Sequence, residues 1–215
     1  AENLIDATNN TDIFADISSG MKVTALVLIK MANDFRFMAS GPRCGIGELK
    51  LPPRQPGSSI MPGKVNPVIA EVLNQVCYQV CGNDLTITLA VENGQFELNV
   101  MEPVLAYNLF NNMCYLKNGV NTFVDRLLVD LEVDRDQCAY WLNRSVGIVT
   151  ALLPHLGYEV CSDLAKEAYN ENRAIRDIIL ERGLLTEAEM NHILSPEEMT
   201  KPGIAGQDVL KNSGN

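Results

Sequence analysis

At 215 residues, 47% of them hydrophobic, the chain is long enough to bury one or two sizeable cores and reads as a soluble globular protein. Its 17 basic residues against 27 acidic ones leave a net charge of -10 with no Lys/Arg-rich run, which argues against nucleic acid as a partner. The longest uncharged apolar runs, such as VTALVLI and VGIVTALLP, fall well short of the roughly 18 residues of a spanning helix, so no membrane segment is expected.

From about Thr11 to Phe37, Ile13, Ile17, Met21, Leu28, Ala32 and Phe35 recur at steps of three, four and seven, which predicts a long amphipathic helix with those residues on its buried face. Residues 41–67 hold six of the ten prolines and five of the fifteen glycines, which excludes helix there. A loop that long between two strong helices is either functional or disordered, and its setting favours function. Helix resumes with Asn66 as the expected N-cap and Pro67 at the first helical position, and runs toward Thr88. A third long helical segment, about Phe96 to Leu131, places Met101, Leu105, Leu109, Leu116, Val120, Phe123 and Leu127 along a bundle seam, with Pro103 kinking it or marking its first turn. Rods of this length, about 40 to 50 Å at 1.5 Å per residue, are hard to cover within one chain and predict self-association.

Beyond Val133 the helices shorten, so the expected division is 1–132, a partial helical-bundle domain, and 133–215, a small helical domain. Thr186 with Glu189 and Ser195 with Glu198 both fit the capping box. The polar, glycine-rich end, KPGIAGQDVLKNSGN, is expected to be loosely ordered. No strand pattern persists, and the fold class is all-α. The six cysteines (44, 77, 81, 114, 138 and 161) lack a CxxC pair and read as reduced, buried thiols of a cytoplasmic protein rather than metal ligands. His155 and His192 read as surface or cap histidines. The chain opens at Ala1 inside a polar stretch, which reads as part of something longer.

The stretch GSSIMPGKVNP, residues 57–67, concentrates the chemistry. PGKVN has a passing likeness to a phosphate-binding loop, but that motif needs glycine where Ser58 stands and Ser or Thr where Val65 stands, so nucleotide binding is rejected. A Gly/Pro-rich loop feeding a helix N-terminus offers free amides and the positive end of a dipole, where anions collect. Lys64 adds a full charge, and Ser58, Ser59 and Asn66 add groups that hydrogen-bond carboxylate oxygens. Each alone has an ordinary reading as turn, cap or solvated residue; together they suit a small carboxylate.

GSSIMPGKVNP resembles the GSSxMPxKxNP signature of the fumarase/aspartase superfamily, whose members cleave C–N or C–O bonds to release fumarate. The similarity runs from NTDIFADISSGMKV to LERGLLTEAE. PVIAEVLNQVC, LNVMEPV, SVGIVTALLP and LERGLLTE resemble the aspartase branch, whereas NGQFELNV and LGYE resemble the fumarase branch. The resemblance implies a long-helix bundle, a homotetramer, and an ammonia-lyase converting L-aspartate to fumarate; no cofactor is expected, and no metal-ligand set is read in this chain. It implies Ser58 as the general base that takes the proton from the carbon beside the one bearing the leaving group, forming an aci-carboxylate dianion. Ser59 then binds the carboxylate where that charge gathers, and Lys64 and Asn66 bind the other one. Glu71 matches a glutamate that pairs with a histidine from another segment, and Met61 within the signature is a further supporting candidate. A hydroxyl is a poor base unless its ionised form is stabilised, and loop amides, the helix dipole and Lys64 supply that field.

The family builds each active site from three regions on different subunits, and this chain carries only the last. The Thr-His and Ser/Thr-rich segments are not found, so little or no lyase activity is expected from the chain alone. Class II fumarate hydratase, or a non-catalytic helical assembly module in which the loop is a connector, are the alternative readings.

Overall fold

The computed structural model describes residues 2–57 and 60–212, which divide into two compact units, Ala1–Asp134 and Arg135–Asn215. In the first unit a short α1 (Leu4–Asn9) precedes α2 (Asp12–Met38), α3 (Val68–Glu92) and α4 (Glu102–Phe123). A π-helical turn, Val124–Leu128, continues α4, with Val129 N–H donating to Val124 O at 3.1 Å. Pro103 sits in the first turn of α4, where its missing N–H costs nothing.

Burial along α3 keeps a strict helical period: Ala70, Leu73, Asn74, Cys77, Val80, Asn83, Asp84, Ile87 and Ala90. That stripe divides into two apolar clusters. In one, Ala70, Leu73, Cys77 and Val80 meet Ala25 and Ala32 of α2 and Phe123 and Leu127, and Phe35 stands edge-on to Phe123 with ring centroids 5.6 Å apart. In the other, Ile87 and Ala90 meet Leu105 and Leu109. Polar side chains lie between and beyond them. Asp84, 3% exposed, accepts Ser18 Oγ–H at 2.7 Å and the Lys22 ammonium at 2.6 Å, while Asn83 donates to Asn112 Oδ1 at 2.8 Å. Such bonds work only in one alignment of the helices, so they set register as well as satisfying buried groups.

Several sequence-based expectations are corrected. Ile13 and Ile17 are 58% and 42% exposed, and Ser18 and Ala25 hold the buried face of α2 instead. Asn66 does not cap α3: Pro67 is the boundary residue, no side-chain cap bond forms, and Asn66 offers only its carbonyl, to Val68 N–H at 2.8 Å. The 41–67 loop contains one half of a short antiparallel pair, β1 (Leu49–Lys50) with β2 (Glu132–Val133). Two residues per strand leave no local pattern to read. Of the six cysteines only Cys77 and Cys161 are buried, whereas Cys44 and Cys114 are exposed.

The second unit comprises α5 (Arg135–Arg144), α6 (Val149–Leu156), α7 (Tyr158–Glu171), α8 (Ile175–Glu181), α9 (Glu187–Ile193), α10 (Pro196–Met199) and α11 (Gln207–Asn212) around Leu152, Leu164, Ile178, Ile179, Met190 and Ile193. The Thr186–Glu189 capping box is complete. The second is half a box: Ser195 Oγ accepts Glu198 N–H, but the Glu198 carboxylate turns instead to Lys201 and to Gly206 N–H. That diversion ties Gly206 back to α10; residues 213–215, the last of the segment expected to be loosely ordered, lie outside the described residues. His155 Nε2 bonds Ala205 O at 2.8 Å and His192 Nε2 pairs with the Asp208 carboxylate at 2.8 Å, so both histidines grip the same terminal segment.

Candidate active site

The signature loop is held at its root before it reaches α3. Glu48 N–H donates to Met38 O at 2.9 Å where α2 ends, and Asp134 N–H donates to Glu48 O at 2.9 Å beside the β1–β2 pair. Lys50 pairs with Asp134 at 2.8 Å. Next, Arg54 reaches out of the loop: its Nε–H donates to Arg126 O at 2.7 Å and its Nη2 to the Asp130 carboxylate.

At the neck, Gly57 and Lys64 cross backbone to backbone. A Cβ on Gly57 would lie 1.6 Å from Lys64 O, so no side chain fits there. Gly63, at φ +82°, turns the chain, and Lys64 N–H closes a turn onto Met61 O at 3.1 Å. Pro53, Arg54, Gln55, Pro56 and Gly57 on one side and Gly63, Lys64 and Val65 on the other line a cavity of about 520 Å³. Lys64 is exposed and has no ion-pair partner among the described residues. The first-turn amides of α3, which lack intrahelical acceptors, follow four residues later.

Of the sequence-predicted residues, Lys64 lies on the cavity wall, Met61 contributes the carbonyl that shapes the Lys64 turn, and Asn66 is half-buried at the approach to α3. Glu71 sits in the first turn of α3, its carboxylate 3.7 Å from Arg36 Nη2 of α2. Ser58 and Ser59 lie outside the described residues. Sequence reasoning missed Arg54 and Arg36: the partners of Arg54, and the carboxylate that faces Arg36, lie 35 or more positions away.

Elsewhere, burial, with Cys81 nearby, pushes the Cys77 thiol up to about 11, away from thiolate. Among the described residues no group of three or more His, Cys, Asp or Glu is arranged to hold a metal ion. No helix among them is long and apolar enough to cross a membrane.

A family model described as "Lyase" matches residues 1–82, and one described as "Fumarase C C-terminus" matches residues 148–201. The aspartate ammonia-lyase of Bacillus subtilis (strain 168) is 51% identical over 211 residues, 98% of this chain and 44% of that protein. The chain belongs to the fumarase/aspartase superfamily. Among solved structures, class II fumarase from Schistosoma mansoni superposes with a TM-score of 0.85 at 38% identity, covering 94% of this chain and 42% of that one. A fumarate lyase:delta crystallin from Brucella melitensis bound to cobalt gives a TM-score of 0.84 at 41% identity, over 93% and 43% of the two chains. The all-α fold is therefore that of the superfamily, and the chain spans about 44% of the length of the curated relative it matches. The signature loop falls inside the first family match, on the same elements that build the cavity.

Proposed function

We propose that this chain carries the signature-loop part of an aspartate ammonia-lyase active site, which reversibly converts L-aspartate to fumarate and ammonia. The observation that carries the reading is Lys64: an ammonium with no ion-pair partner among the described residues, presented by the Met61 turn on a cavity wall just before a helix N-terminus, within an intact GSSxMPxKxNP motif. A dicarboxylate substrate places one carboxylate against Lys64 and Asn66. Ser58, as alkoxide, takes the proton from the substrate carbon next to the one bearing nitrogen. The C–H electron pair moves into the adjoining carboxylate to form the aci-carboxylate dianion, which Ser59 and the α3 amides stabilise. Collapse of the dianion forms the C=C bond and breaks the C–N bond, releasing ammonia. Donors that bind this extra charge favour the intermediate over the substrate, which is what lowers the barrier.

The assembly proposed is a homotetramer. Leu26 and Val27 on α2, Leu85 and Leu89 on α3, and Tyr107 and Phe110 on α4 are all exposed, more apolar surface than a stable monomer ordinarily leaves open. The compartment proposed is the cytoplasm, in keeping with six unpaired cysteines. Hydration of fumarate is the second reading, favoured by the superposition on class II fumarase.

The test joins this chain to the part of the Bacillus subtilis enzyme outside the matched 211 residues and follows fumarate absorbance. Turnover of L-aspartate but not L-malate supports the reading, and preference for L-malate moves it to hydratase. A folded assembly active on neither substrate sinks both. The chain alone is expected to give little or no fumarate.

A further inference from the structure

The two walls of the cavity are held by different means. Residues 63–65 run directly into α3, but residues 53–57 hang between β1 and the Gly57 neck. The side-chain anchor of that second wall is Arg54, bonded to Arg126 O at 2.7 Å and to the Asp130 carboxylate. Its choice of partners has a physical reason. Val129 N–H is taken by Val124 O and Leu131 N–H by Leu128 O, and among the described residues no backbone N–H beyond the π-helical turn is bonded to Arg126 O, in the middle of that turn, which takes the outside donor. A guanidinium with an Nε–H and an Nη2–H pointing the same way fills that carbonyl and the neighbouring carboxylate at once.

From this geometry we infer that Arg54 is a positioning residue for Lys64: anchored on Arg126 O and Asp130, it fixes the 53–57 wall and, through the Gly57–Lys64 crossing, the place of the ammonium in the cavity. The crossing makes the link mechanical. With room for no more than a glycine hydrogen between Gly57 and Lys64 O, a shift of the 53–57 wall toward residues 63–65 has to move Lys64 as well. The inference rests on the proposed carboxylate-binding role of Lys64 only for its functional consequence, not for the mechanical coupling.

The experiment is amide exchange by mass spectrometry on this chain, comparing Arg54→Met, Arg54→Lys and Asp130→Asn with the parent. Peptides spanning 61–66, which report the Lys64 N–H bond to Met61 O, and peptides spanning 124–131 are followed separately. Arg54→Met is expected to raise exchange about tenfold in both regions, a size set by the loss of charge-assisted hydrogen bonds. Asp130→Asn, which keeps the bond to Arg126 O, is expected to give a smaller rise, and Arg54→Lys an intermediate one. Exchange that rises in 124–131 alone, or uniformly over the chain with a lower melting temperature, overturns the inference. Succinate titration of the joined enzyme, this chain with the remaining part of the Bacillus subtilis enzyme, is the second arm. If the parent binds and Arg54→Met weakens binding about tenfold, the effect reaches the ligand. Binding unchanged by the substitution overturns that functional link. A parent that binds no succinate counts against the proposed role of Lys64, and the exchange data still decide the role of Arg54.

Discussion

Replacing Gly57 with alanine tests the loop architecture at its tightest point. The added Cβ would lie 1.6 Å from Lys64 O and 2.5 Å from Lys64 C, both backbone atoms that no rotamer change can clear. Restoring a tolerable separation of 3.0 Å requires Lys64 to recede by about 1.4 Å, and misplacing a substrate-binding group by about 1 Å costs on the order of 100-fold in rate. Gly57→Ala in the joined enzyme is therefore expected to lower kcat/KM for L-aspartate by about 100-fold. Its melting temperature should stay within a degree or two, because residues 57–67 lie outside both apolar clusters of the first unit. Gly63→Ala is the control: nothing lies within 4 Å of its Cβ, so only its positive φ opposes the change, at about 1 kcal/mol. Gly57→Ala with kcat/KM equal to the parent's would refute the neck.

Three further outcomes follow from the packing. Lys22→Met should destabilise the first unit more than Asp84→Asn, measured as urea midpoints, because the first strands a buried carboxylate while the second leaves a half-exposed ammonium in reach of water; the reverse order contradicts the reading. In the second unit, the Asp208 carboxyl is held below its usual range by His192, and that of Glu198 by Lys201 and the Gly206 amide. Depressed folded-state values contribute stability above the ordinary carboxylate range that is lost as pH falls through them, so the 201–212 segment should loosen below about pH 4, seen as faster pH-corrected exchange there, and Glu198→Gln should flatten that dependence. Thr186→Ala removes the hydroxyl's two bonds, to the Glu189 N–H and the Glu189 carboxylate, while the Thr186 N–H keeps its bond to that carboxylate, and should cost about 1 kcal/mol by denaturant melt, more than Ser195→Ala, which removes the bond from Glu198 N–H.

The long helices were legible because their apolar spacing is local. α2 begins and ends within a residue or so of the expected span, and Leu105, Leu109 and Phe123 of the expected α4 seam are buried, whereas Met101 at its start is 40% exposed. The same spacing misled on which stripe is covered. Ile13 and Ile17 obey the period but face outward, while Ser18, equally periodic, is buried against Asp84 of another helix. A period marks a face without naming what covers it. The signature loop stood out because its glycines and prolines exclude helix, yet its anchoring by Arg54 and its pairing through β1 depend on residues 72 to 84 positions later. The bonds that hold Ala205 and Asp208 were illegible for the same reason: the segment is polar and glycine-rich in itself, and the histidine side chains that hold it come from α6 and α9.

The account turns on a charged, hydrogen-bonding niche at the entrance to α3 that makes a serine hydroxyl basic enough to remove a carbon-bound proton. The most direct measurement is fumarate formation from L-aspartate by the joined enzyme with Ser58→Ala, beside equilibrium binding of succinate to the same variant. The expected result is turnover lowered by a factor of about 10,000 or more with succinate affinity retained, the size seen when a group acting directly on the reacting atoms is removed. Turnover within tenfold of the parent would take the proton transfer away from Ser58 and contradict the account.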